Sequence, residues 1–166
     1  DTQIYTPWLS PMFRNMAEWL CWLAETLPEY RLRIRAHPNH PMSAQAQQIV
    51  QNTRNMKLDD SPNMAEAIDE SIAMLSINSS SGIEGLQKGL PIIAFGRSVF
   101  SSVVNAGYYV FIQKEPREYT RNAISEIIRG KSTLNRVAQT AAVSRIMSKQ
   151  WWPDKTLAEK LEWWLR

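Results

Sequence analysis

The segment Ile72-Ala73-Met74-Leu75-Ser76-Ile77 is apolar on both faces. A strand of that kind has to be covered on each side, as central strands of parallel sheets are when helices pack on both faces. A second such segment, Ile92 to Phe95, is entered through the turn Gly89-Leu90-Pro91 and left at Gly96. The rest of the chain supplies the flanking elements. Behind Ser10 as N-cap and Pro11 at the first helical position, apolar residues from Met12 to Leu27 recur at helical spacing and predict a helix ending at Pro28. Arg31 to Ala36 alternates with period two and runs into His37-Pro38, the pattern of a strand stopped by proline. Ser43 to Arg54 reads as a helix, Met56 to Leu58 as a short strand, and Ser61-Pro62 opens a helix through Glu70, with Asn63 and Glu66 at capping-box spacing. After the serine run 79–81 a short helix reaches Lys88; Tyr108 to Ile112 is a last strand, followed by helices over Arg117 to Arg129 and Ser132 to Lys149. This alternation predicts the α/β class, a Rossmann-like, doubly wound parallel sheet flanked by helices.

With 166 residues, 44% of them hydrophobic, the chain can build one core. The expected organisation is a single domain over 1–150 and a Trp-rich tail helix over 151–166. No apolar run is long enough for a membrane-spanning helix or a signal peptide. Nineteen Lys and Arg against sixteen Asp and Glu give +3, and the basic residues are spread along the chain, a distribution that does not suggest nucleic-acid binding. The single cysteine, Cys21, excludes an internal disulfide and a thiolate metal site, which fits a reducing compartment. The chain starts at Asp1 in mid-pattern, as a piece of something longer would.

In open parallel sheets ligands bind outside the carboxyl ends of the strands. Three such ends carry polar chemistry: Arg35, His37 and Pro38 after the first strand, Asn78-Ser79-Ser80-Ser81-Gly82 after the third, and Gly96-Arg97 after the fourth. The serine run places small hydroxyls and backbone N–H groups at a helix start, a cradle suited to phosphate. The same run also reads as one N-cap serine followed by loop. Glu84, on the first turn of the helix, suits the helix dipole and can accept hydrogen bonds from ribose hydroxyls. His37 can donate to a phosphate or act as acid or base, since imidazoles in general titrate near neutrality. His40 lies three residues on, but a zinc site needs further ligands, so no metal is expected there. Asp59-Asp60 could hold a cation between phosphates, although turn chemistry explains the pair. No Walker-type loop and no dinucleotide fingerprint is present.

Three stretches, Arg33-Ile34-Arg35-Ala36-His37-Pro38, Ser76 to Leu86, and Lys88 to Gly96, resemble in order and spacing the C-terminal half of the capsular polysaccharide biosynthesis and export family. Characterised members of that family are β-Kdo glycosyltransferases of GT-B fold. The resemblance spans about the first two thirds of the chain. It implies a donor domain for a CMP-sugar, CMP-Kdo above all, with His37, Ser79 and Ser80 at the donor phosphate and Glu84 near the nucleoside. In this sequence Arg35 stands where Lys is common, Ser81 where an aliphatic residue is common and Gly85 where Ala is common. No cofactor is implied beyond the CMP-sugar as donor substrate. His37 would then assist departure of CMP as the catalytic residue on this chain, while the acceptor site and catalytic carboxylates belong to an N-terminal half.

The expected partners are a nucleotide sugar, an oligosaccharide or glycolipid acceptor, and the other half of the same protein, without nucleic acid. The expected setting is the cytoplasm or the inner face of its membrane. The tail ending in Trp163-Trp164-Leu165 is expected to pack on the missing half or on a membrane surface. On this reading the isolated chain binds nucleotide and transfers no sugar. The rival reading is a non-catalytic nucleotide- or sugar-binding module of the export and assembly machinery, since fold does not fix function.

Overall fold

The structure, a computed structural model, describes residues 9–37, 40–98, 107–111 and 115–130. Pro38, the expected helix over 132–149, the boundary at 150 and the Trp-rich tail lie outside the described residues.

Among the described residues there are five three-residue strands and five helices, and they alternate from the first helix as far as the fourth strand. The strands are β1 (Leu32–Ile34), β2 (Met56–Leu58), β3 (Met74–Ser76), β4 (Ile92–Ala94) and β5 (Tyr108–Val110). The helices are α1 (Met16–Thr26), α2 (Ala44–Asn52), α3 (Met64–Asp69), α4 (Gly82–Gln87) and α5 (Arg117–Arg129). β1 pairs with β2, β3 with β4, and β4 with β5, and every one of these ladders is parallel. Helices flank the parallel strands, so the fold is α/β and Rossmann-like, as the alternation predicts.

β4 explains why the chain needs two helical layers. Strand side chains alternate between faces. Ile93, with the following Phe95, packs into a core built with α1, α2 and α5, through Leu20, Leu23, Val50 and Ile124 among others. Ile92 and Ala94 face a second core with Ile68 of α3 and Ile83 and Leu86 of α4. All four residues are fully buried. β1 and β2 contribute Leu32 and Met56 to the first core. The guanidinium of Arg33 on β1 donates to Ala67 O and to Ser71 Oγ, which ties β1 to the segment entering β3.

Two expectations are corrected. Helix α1 begins at Met16, not Met12. Asn15 is the N-cap: its side chain accepts from the Glu18 N–H at 2.9 Å, and the Glu18 carboxylate accepts from the Arg14 N–H at 2.8 Å. Ser10 instead donates to Phe13 O at 2.7 Å, closing a turn that buries Met12 and Phe13 without helix. The second correction concerns β3, which the sequence placed centrally. It ends its three-stranded ladder, β4 takes the middle position, and Ile72 just before β3 is 53% exposed.

Candidate functional site

Apart from Pro38, which lies outside the described residues, each of the three expected groups sits at the carboxyl end of its own strand. Behind β1, Arg35 Nη1 donates to Asp59 Oδ2 at 2.6 Å and to Ser61 O at 3.0 Å. The register explains the pair: Ile34 lies opposite Leu58 in the parallel ladder, so the next residue of each strand, Arg35 and Asp59, emerge side by side. Asp59 Oδ1 accepts from Ser61 Oγ at 2.7 Å and from Ser61 N–H at 3.3 Å, the turn chemistry expected of it. The Asp59 side chain is only 2% exposed. Burial opposes its ionisation, but the hydrogen bonds from Ser61 and Arg35 and the Arg35 charge outweigh burial and hold the carboxyl below its ordinary 3.8. A carboxylate depressed on folding stabilises the native state above its unfolded pKa, and that contribution is lost as pH falls through the folded value. Acid unfolding of wild type and Asp59→Asn, followed by circular dichroism, is therefore expected to show a wild-type advantage above about pH 4 that closes below it. An advantage growing with acidity would refute the assignment.

His37 and His40 are both exposed. The His40 N–H donates to His37 O at 3.1 Å, and the two residues form an isolated antiparallel bridge. Their ring centroids lie 4.9 Å apart at 40°.

Behind β3, the start of α4 differs from those of α1, α2 and α3. Asn15, Ser43 and Asn63 each cap their helix with a side-chain oxygen, whereas Ser81 occupies the N-cap position in helical conformation with no side-chain cap bond. Its hydroxyl lies 2.5 Å from Ser79 Oγ, and Ser79 Oγ also takes the Ser81 N–H at 3.3 Å. The simple N-cap reading of the run is thus not what the chain does. The expectation of unpaired N–H groups is also modified: Gly82 N–H bonds to Ser79 O and Ile83 N–H to Ser80 O, because the entry to α4 is a tight turn. Asn78 is half-buried, while Ser80 and Glu84 are exposed.

Gly82 and Gly85 let α4 settle onto β4. A Cβ at Gly85 would lie 2.6 Å from Ile92 Cδ1, and one at Gly82 would lie 3.3 Å from Ile92 Cγ2. Gly85, which costs a helix interior about 1 kcal/mol relative to Ala, is therefore explained by close packing. Behind β4, the Arg97 N–H donates to Leu9 O at 2.8 Å, so the segment before α1 crosses that strand end.

Ser76, Ser98 and Tyr108 were not among the expected site residues. Ser76 is the last residue of β3, and its buried hydroxyl has no hydrogen-bond partner. The fully buried Tyr108 shares a 2.8 Å hydrogen bond with Ser98, next to Arg97. Burial pushes the Tyr108 hydroxyl above its ordinary 10.0, so it stays neutral. Only the strand pairing reveals these residues, since none forms a motif.

The family described as capsule polysaccharide biosynthesis protein matches residues 14–104, more than half of the chain. The chain belongs to the capsule polysaccharide biosynthesis family. The family match takes in β1 to β4 and every expected site residue from Arg35 to Arg97. No curated protein and no solved structure matches this family member. Among its described residues no helix is long and apolar enough to cross a membrane.

Proposed function

We propose that this capsule polysaccharide biosynthesis protein carries the nucleotide-sugar (donor) site of a glycosyltransferase, with a CMP-sugar, CMP-Kdo in particular, as donor. The observation that carries the reading is placement. Arg35 and His37, the run Asn78 to Gly82, and Gly96-Arg97 each follow the carboxyl end of a parallel strand, where open α/β sheets bind ligands. The tie from Arg33 to the segment entering β3 supports a crevice between β1 and β3, from which the chain winds outward to β2 and, separately, through β4 to β5.

The chemistry follows from the leaving group. As the glycosidic bond to CMP breaks, negative charge grows on a single phosphate, and donors already oriented toward it stabilise the transition state more than the ground state. Ser79, Ser80 and Ser81 supply hydroxyls, and His37 supplies an imidazole N–H that stabilises or protonates the departing phosphate. Asp59 and Ser61 O hold Arg35 Nη1 in place, and its guanidinium charge attracts an anion at this strand end. Glu84 accepts from ribose hydroxyls. The nucleophile comes from the acceptor, and the base that activates it from outside these groups. Peripheral contact with a membrane surface would bring the donor domain to a glycolipid acceptor.

The test is titration of CMP and of cytidine against the 166-residue chain. Ser80→Ala and His37→Ala are each expected to weaken CMP by roughly 1–3 kcal/mol, the range for a hydrogen bond to a charged group, and to leave cytidine unchanged. Circular dichroism confirms the fold of each variant. Wild-type affinity for CMP in both variants would remove the donor-site reading.

A further inference from the structure

We propose that Asp59, buried between Arg35 and Arg33, is a positioning residue of the donor site: its carboxylate binds no ligand and makes the grip of Arg35 on the donor phosphate depend on it. The inference rests on the donor-site reading and adds to it a buried acid that no motif marks. Asp59 directly follows β2, and its N–H donates to Ile34 O at 3.0 Å, so its backbone continues the β1–β2 pairing. Both carboxylate oxygens are engaged. Oδ2 accepts from Arg35 Nη1 at 2.6 Å, while Oδ1 accepts from Ser61 Oγ at 2.7 Å and Ser61 N–H at 3.3 Å and lies 3.9 Å from Arg33 Nη1. Arg33 is in turn anchored by Ala67 O, Ser71 Oγ and the Glu70 carboxylate. The Asp59 side chain is 2% exposed and that of Arg35 31%, so the acid lies beneath the base. Adjacent Asp60 is exposed and pairs with Lys57 at 3.9 Å, which leaves Asp59 as the one of these two successive acids that is built into the strand end.

An arginine has many rotamers, and ordering them when a ligand arrives costs affinity. A carboxylate bonded to Nη1 orders the side chain in advance, and salt screens a buried partner much less than an exposed one. The same negative charge also repels an incoming anion. Asp59 therefore acts on phosphate binding in two ways of opposite sign. If only its field mattered, neutralising the carboxylate would tighten binding; if it positions Arg35, neutralising it weakens binding. Positioning is expected to win, because Arg35 is the exposed member of the pair and meets the anion directly.

The experiment is calorimetric titration of CMP and of cytidine against wild type, Asp59→Asn, Arg35→Ala and the double variant, each checked by circular dichroism. Asp59→Asn is expected to weaken CMP by roughly tenfold and to leave cytidine unchanged. In the Arg35→Ala background the same substitution should produce no further loss, because the residue through which Asp59 acts is gone. A merely structural role would weaken CMP in both backgrounds and would weaken cytidine as well. Breaking a buried ion pair also costs stability, so Ser61→Ala serves as a milder variant that removes one hydroxyl donor from Asp59 Oδ1 and leaves the carboxylate in place. It should weaken CMP by a smaller factor, again only where Arg35 is present. If Arg35→Ala weakens CMP while Asp59→Asn and Ser61→Ala bind it as well as wild type or more tightly, the positioning role is overturned and the donor site stands. An equal loss from Asp59→Asn with and without Arg35 overturns it too. If Arg35→Ala, His37→Ala and Ser80→Ala all bind CMP as wild type does, the donor site falls and the inference falls with it.

Discussion

Phe95→Ala is expected to lower stability by about 3–5 kcal/mol, the range for removing a buried aromatic ring from a core. Phe95 is fully buried and meets four other rings: Trp22 at 5.2 Å, Phe111 at 5.8 Å, Trp19 at 6.1 Å and Phe13 at 6.2 Å between centroids. Three of those partners come from α1 and the segment just before it, so the ring attaches that whole region to the sheet. Its backbone N–H also holds Ser76 O at 2.8 Å, extending the β3–β4 ladder by one bond. The thermal midpoint should fall by roughly 10 °C for a chain of this size. Phe95→Leu, which keeps most of the volume, should lose about 1.5 kcal/mol or less. Chemical denaturation with matched slopes measures both, and a loss below about 1 kcal/mol for alanine would show that the neighbouring rings close over the gap.

The neighbouring position responds to the opposite change. At Gly96→Ala the new Cβ would lie 2.3 Å from Leu9 O, 2.9 Å from Ile77 O and 2.9 Å from Ile77 Cγ2. Two of the three obstacles are backbone and cannot rotate aside, so the chain crossing β4 has to move. The expected cost is about 1–3 kcal/mol, the range for overpacking, and Gly96→Val should be worse. Gly82→Ala is the internal comparison: its Cβ would meet Ile92 Cγ2 at 3.3 Å and Tyr108 Cε2 at 3.5 Å, both side-chain atoms, so a smaller loss is expected. Equal stability of Gly96→Ala and wild type would mean that the Leu9 segment is not held against the strand end.

Much of the architecture could be read before any coordinates. The bounds of β2 and α5 agree with the sequence reading, and α2 starts behind Ser43, where the predicted helix begins, but α3 starts at the capping-box residue Asn63 and not at Ser61-Pro62. Helix α1 was misplaced at its start because Ser10-Pro11 and Asn15-x-x-Glu18 are both valid start signals, and only the burial of Phe13 against Phe95 and Trp22 selects the second. The position of β3 within its ladder was not readable, because an apolar run reports how deeply a strand is buried and not which strands it bonds.

The same limit applies at the site. The positions of Arg35, His37 and the serines at strand ends follow from strand prediction alone. The Arg35–Asp59 pair needs the β1–β2 register, and the coupling of Ser79 to Ser81 needs the backbone conformation of the turn. The buried Ser76 hydroxyl and the Tyr108–Ser98 bond join residues with no local pattern, so sequence periodicity carries no trace of them.

The alternation of β4 has a mechanical consequence. One short strand is shared by two cores that otherwise involve different helices, with Ile93 and Phe95 serving one and Ile92 and Ala94 the other. Peeling α3 and α4 away would expose Ile92 and Ala94, and lifting α1 would expose Ile93 and Phe95, so either opening strips one side of the same strand. The two halves of the core are then expected to open as one cooperative unit, with the β4 amides among the last to exchange with solvent. Ser80, His37 and His40 are exposed and belong to neither core.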